Sequence, residues 1–166
     1  MNILSRLLRH LCTTSGAGKR AFPASTLKAI ERAITEGESQ HRAEVRIIVE
    51  PALSAQAVLQ HVSSRERARE LFTHYRIWDT EENCGVLVYV NLADRKVEIV
   101  ADRGAGLKVA ANDWHAVCRT MTQGFAQGDF HDSMIAALSQ LNGLLQKHYP
   151  NDGSDRNELT DKPIIL

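Results

Sequence analysis

Gly85-Val-Leu-Val-Tyr-Val90, then Asn91-Leu-Ala-Asp-Arg95, then Lys96-Val-Glu-Ile-Val-Ala101 reads as two strands and the short polar turn between them. The first run is apolar at every alternate position on both sides, the pattern of a strand covered above and below. The five-residue connection makes the next strand its antiparallel neighbour. Upstream, Glu44-Val-Arg-Ile-Ile-Val-Glu50 is rich in β-branched residues, places Val45, Ile47 and Val49 on one face, and is stopped by Pro51. Between this strand and Gly85, Ala68, Leu71, Phe72 and Tyr75 form a helical stripe, with Ser54 and Ser63 as candidate caps. A strand, a crossover helix and a second strand predict parallel neighbours with right-handed sense.

Further helices flank this sheet. Leu27, Ile30, Ala33 and Ile34 recur at helical spacing, with Pro23 or Ser25 near the start and Gly37 near the end. Trp114, Val117, Cys118, Met121 and Phe125 form another stripe, Met134, Ile135, Leu138, Leu141 and Leu145 a last one, and Pro150 ends it. Ile3, Leu4, Leu7, Leu8 and Leu11 give residues 1–11 an apolar face, which is expected to dock on the domain or on a second copy. Contact with an anionic membrane through Arg6 and Arg9 is the weaker expectation. Cys12 to Arg20 reads as a mobile tether, Gly104-Ala-Gly106 as a hinge, and the polar stretch from Asn151 as disordered. The expected organisation is an N-terminal helix and tether over 1–21, an α/β domain over 22–150 and a flexible tail over 151–166.

Lys plus Arg equals Asp plus Glu at 20 each, so no overall field attracts nucleic acid. Three widely spaced cysteines fit neither a disulfide framework nor a zinc knuckle, and with no apolar run long enough to span a bilayer they point to a cytoplasmic protein. Cys84, Cys118 and Trp114 read as core residues, and no dinucleotide fingerprint calls for an organic cofactor.

The topology brings polar residues together at one sheet end. Parallel pairing starts Glu44 and Gly85 at the same end, and the hairpin returns Asp102 opposite Gly85 and Arg103 opposite Cys84. Glu44, the loop Asp79-Thr-Glu-Glu-Asn83, and Asp102-Arg103 therefore converge. Glu82 and Asp102 are the candidate ligands of Ca²⁺ or Mg²⁺, with Glu44, Asp79, Asn83 and Arg103 completing the cleft. A structural network in which a buried Arg103 satisfies Glu44 or Asp102 is the alternative. The EF-hand spacing is absent.

Arg20-Ala-Phe-Pro23, Trp78-Asp-Thr-Glu-Glu-Asn-Cys-Gly-Val-Leu-Val-Tyr-Val90 and Leu92-Ala-Asp-Arg-Lys-Val-Glu-Ile-Val-Ala-Asp-Arg-Gly104 resemble the TPM domain, in its short bacterial cytosolic branch, over Phe22 to Tyr149. The resemblance implies an α/β/α sandwich, a short mixed sheet with helices on both faces. It also implies divalent-cation binding in a groove, and acid phosphatase activity in some plant members. Asn83-Cys84-Gly85 stands where that family carries Asn-Asn-Gly or Asn-Gly, which removes one oxygen ligand. A binding module for a cation or an unidentified protein partner is the first functional expectation. A metal-assisted phosphatase acting on phosphomonoesters, with Arg103 stabilising developing charge, is the second.

Overall fold

The computed structural model describes residues 2–153 and 157–166. The chain runs α1 (Ile3–Cys12), α2 (Ser15–Ala21), α3 (Ala24–Glu38), β1 (Val45–Glu50), α4 (Ala55–Leu59), α5 (Ser64–His74), β2 (Val86–Asn91), β3 (Lys96–Ala101), α6 (Arg103–Lys108), α7 (Ala111–Ala126), α8 (His131–His148) and β4 (Ile164–Ile165). The sheet has the order β3-β2-β1-β4. β1 and β2 are parallel, with Val45 opposite Val86, and β2 and β3 are antiparallel, with Val86 opposite Ala101.

Alternation along the strands sorts the core into two layers. Val45, Ile47, Val49, Val86, Val88, Val90, Val97 and Ile99 meet α3, α7 and α8 on one face. Ile48, Leu87, Tyr89 and Val100 meet Ala68, Leu71 and Phe72 of α5 on the other. The result is the three-layer α/β/α sandwich with a mixed sheet that the resemblance implies. Both serines of the crossover act as caps: Ser54 starts α4, and Ser63 starts α5 in a reciprocal capping box with Glu66.

Four segments differ from the sequence expectations. The predicted tether is helical over Ser15–Ala21, because Gly18 is buried so closely against Pro51 and Ile165 that a Cβ there would lie 2.9 Å from the proline ring. The predicted glycine hinge is the first turn of α6: the Asp102 side chain accepts from Arg103 N–H at 2.7 Å, and Gly104 N–H donates to Asn83 O at 2.9 Å. The tail expected to be disordered supplies a fourth strand, Ile164 and Ile165 pairing parallel with Ile48 and Val49. An uncovered β1 would leave a row of backbone groups unpaired, and the tail covers part of that edge at Ile48 and Val49. It is held by Arg46, whose guanidinium donates to the carbonyls of Thr160 and Lys162. Residues 154–156 of that tail, and Met1 of the predicted first helix, lie outside the described residues.

The fourth difference is the orientation of α1. Leu4, Leu8 and Leu11 face out, each more than 60% exposed, Ile3 and Leu7 are half-buried, and Arg6 and His10 turn inward. The outer leucine row is therefore not docked on the domain, as one of the two expected modes required. The cause is Asp94 in the β2–β3 turn, which receives Arg6 through two nitrogens at 2.7 and 3.0 Å and His10 Nε2 at 3.0 Å. Three charge-assisted or buried hydrogen bonds outweigh the burial of a few leucine methyls.

Candidate functional site

The sheet end predicted from topology holds a cleft. Val86 N–H donates to Glu44 O at 2.8 Å, and Asp102 N–H donates to Gly85 O at 2.9 Å, so Glu44, Gly85 and Asp102 sit side by side as the register requires. The cleft encloses about 260 Å³ and is lined by Arg42, Glu44, Thr80, Glu81, Glu82, Cys84 and Glu158. Glu44 comes from the residue before β1, Glu81 and Glu82 from the loop before β2, and Glu158 from the tail. Among the described residues, four carboxylates thus line the cleft with one guanidinium.

Arg42 Nη1 donates to Glu82 Oε1 at 2.5 Å and approaches Asp152 at 3.3 Å, while its Nε donates to Pro150 O at 3.1 Å. Glu44 accepts from Leu159 N–H at 2.9 Å, and Glu158 accepts from Glu81 N–H at 2.9 Å. Burial, followed by the carboxylates of Glu158 and Asp161, pushes the Glu44 carboxyl up from its ordinary value against hydrogen bonds from the tail backbone. The Cys84 thiol is buried, donates to Arg42 O at 3.1 Å and is pushed up to about 11, chiefly by burial and next by Glu82, so it packs as the sequence predicts.

Of the six residues predicted to build the site, Glu44 and Glu82 line the cleft. Asn83 contributes backbone geometry, with a left-handed φ of 53° and a carbonyl that receives Gly104 N–H. Asp102 stays beside Gly85 but is spent on capping α6: one oxygen accepts from Arg103 N–H, and the other is buried with no hydrogen-bond partner among the described residues. Asp79 and Arg103 are exposed and outside the lining. The expectation that a buried Arg103 organises the acids is therefore corrected: Arg103 is the exposed first residue of α6, and Arg42 has that place. Arg42 precedes Glu44 by two positions, which puts both on one side of an extended segment, and that spacing was a readable signal. Glu158 lies in a polar stretch that carries no periodicity.

Behind the cleft, Glu38 at the end of α3 accepts from Val45 N–H at 2.8 Å, and its second oxygen is buried without a partner among the described residues. Burial pushes its carboxyl up to about 9; the Val45 N–H opposes this and Glu44 and Asp161 add to it. A carboxyl raised in the folded state contributes stability that is complete below its unfolded pKa and is lost as pH rises through its folded one. Glu38→Gln, which keeps the acceptor and removes the titration, is expected to raise stability by about 2 kcal/mol near pH ~8 and by less than about 1 kcal/mol near pH ~5. Urea unfolding of both proteins at the two pH values checks this, and an equal difference at both would contradict it.

A divalent cation held directly requires about six or more oxygens converging at about 2.0–2.6 Å. Among the described residues no three His, Cys, Asp or Glu side chains converge in that way. Among the described residues the cleft is therefore lined by carboxylates and one guanidinium rather than by a converged set of metal ligands.

Residues 19–144 match the sequence profile of a family described as TPM domain. Among solved structures, the chain is similar to the BA42 protein of the psychrophilic bacterium Bizionia argentinensis, determined by NMR. The TM-score is 0.77 at 24% identity, over 87% of this chain and 95% of that one. A likeness at that identity speaks for the fold. No curated protein matches the chain.

Proposed function

The chain belongs to the TPM domain family, and from that membership and the acidic cleft we propose that it is a non-catalytic binding module taking a hydrated divalent cation, Ca²⁺ or Mg²⁺, at this sheet end. The reading is carried by one observation: among the described residues, four glutamates from three separate segments and one arginine line a cleft of about 260 Å³. Burial chiefly, and then the carboxylates of Glu158 and Asp161, push Glu44 up, and added positive charge would offset the second of these.

The test is a ¹H–¹⁵N titration of metal-stripped protein with Ca²⁺ and then Mg²⁺. Saturable shifts over Glu81 to Gly85 are expected, reduced in Glu158→Gln and retained in Asp102→Ala. Shifts lost only in Asp102→Ala would move the site to the orphaned Asp102 oxygen, and no shifts at millimolar cation would end the cation reading in favour of a basic group on a protein partner.

Metal-assisted hydrolysis of phosphomonoesters stands second. Arg103, the residue suited to stabilise developing charge, does not line the cleft, and the Cys84 thiol is buried. For a partner, we place a protein ahead of an anionic membrane on the outward leucine row of α1. Arg6 and His10 are turned inward onto Asp94, which leaves that face poor in the basic side chains a membrane surface requires. No helix among the described residues is long and apolar enough to cross a membrane.

A further inference from the structure

The opposite end of the sheet, beyond the carboxyl end of β2, carries a second and larger cleft of about 620 Å³. Six strand residues separate the two ends, about 20 Å. Its apolar part is Val90, Leu92 and the half-buried rings of Phe125 and Phe130. Those rings stack with centroids 5.0 Å apart, and both meet the buried Phe22 edge-on. This aromatic floor is fixed by packing, and its outer faces border the cleft.

The rim is cationic. Arg20 comes from the last turn of α2, Arg95 from the hairpin turn and Lys96 from the start of β3, and among the described residues no Asp or Glu lines this cleft. All three side chains are exposed, and among the described residues none forms a hydrogen bond or ion pair through its side chain. The neighbouring carboxylate Glu98 lines the adjacent groove along β3 and lies 3.7 Å from Arg65. Asp94, next to Arg95 in sequence, is consumed by Arg6 and His10. Arg95 also has a left-handed φ of 54°, a conformation that a turn ordinarily assigns to glycine or asparagine. Three like charges from two segments, α2 and the start of β3 with its turn, around one apolar opening repel one another until an anion enters.

We propose that this cleft binds a small amphipathic anion, a carboxylate or phosphate head on an apolar body, with the head among Arg20, Arg95 and Lys96 and the body against Phe125 and Phe130. The size, the concave apolar lining and the few convergent polar groups are those of a small-molecule site. Guanidinium groups suit a carboxylate or phosphate because both can be met by two parallel hydrogen bonds. The proposal is independent of the acidic cleft at the other end.

The experiment is a ¹H–¹⁵N titration of the full chain with decanoate and decyl phosphate, with decanol and decyltrimethylammonium as neutral and cationic controls. Saturable shifts at Val90, Leu92, Phe125, Gly128 and Phe130 are expected for the anions, with decanol weaker by about tenfold or more. The exposed double substitution Arg95→Gln/Lys96→Gln should weaken both anions by about tenfold with an unchanged Tm. Ala126→Trp, at an exposed position of the lining, should abolish binding by filling the cleft. A difference between decanoate and decyl phosphate identifies the preferred head. Decanol binding as tightly as decanoate, unchanged affinity in the double variant, or no shifts at these residues would each overturn the proposal.

Discussion

Alanine at position 85 is expected to destabilise the domain by more than about 3 kcal/mol, or to prevent its soluble expression. A Cβ on Gly85 would fall 1.8 Å from the carbonyl oxygen of Ile77 and 3.0 Å from its carbonyl carbon. The obstacle is backbone, so no rotamer change relieves it. Neither side can retreat: Ile77 is fully buried and its N–H donates to Phe72 O at 3.0 Å, while Gly85 O receives Asp102 N–H at 2.9 Å. Moving β2 would also break Val86 N–H to Glu44 O, so the strand pairing and the acidic cleft depend on the same missing methyl group. Gly143 supplies the comparison, because nothing lies within 4 Å of a Cβ there and it sits inside α8. Gly143→Ala should stabilise by about 0.5–1 kcal/mol through helix propensity. Urea unfolding of the two variants is the measurement, and a Gly85→Ala protein within about 1 kcal/mol of the parent would show that the close approach is not a constraint.

Asp94→Ala should cost about 3–5 kcal/mol, because it removes one partner and leaves the others buried and unmatched. The Asp94 side chain is 6% exposed and meets Arg6 at 11% and His10 at 1%. His10 Nδ1 accepts from Leu53 N–H at 2.9 Å, which assigns the ring proton to Nε2 and makes that nitrogen the donor to Asp94. Arg6 Nη2 also donates to Val62 O at 2.7 Å, so one carboxylate ties α1 to the hairpin and to the α4–α5 connection. Burial alone would raise the Asp94 carboxyl, but hydrogen bonds from Arg6 and His10 outweigh it and hold the group below its ordinary value. A depressed folded pKa gives stability that is present above the unfolded pKa, about 4, and is lost as pH falls through the folded one. Asp94→Ala should therefore lower Tm on the order of 10 °C at neutral pH, with a narrowing gap in acid. Amide exchange localises the effect: protection over Ile3–Cys12 should disappear first. Retained protection of α1 at neutral pH would show that Asp94 is not what holds it in place.

What the sequence determines here is what repeats over short distances. Period-two patterns in 45–50 and 96–101, and an unbroken apolar run in 86–90, assigned the strands and their faces. Helical stripes assigned α3, α5, α7 and α8, and a crossover followed by a short hairpin left one register, which places Asp102 beside Gly85 as predicted. The tertiary structure decided where charges pair. Arg42 meets Glu82 across 40 residues, Arg6 meets Asp94 across 88, and Glu44 meets the tail at Leu159 across 115. Such bonds leave no periodic trace, because each depends on one geometry between two otherwise ordinary polar residues. They turned α1 over, ordered a tail that reads as disordered, and replaced Arg103 by Arg42. They also separated a sequence with 20 charges of each sign into an acidic cleft at one sheet end and a cationic rim at the other. Composition sums charges, and only folding assigns them positions, because the electrostatic energy depends on distance and burial rather than on number.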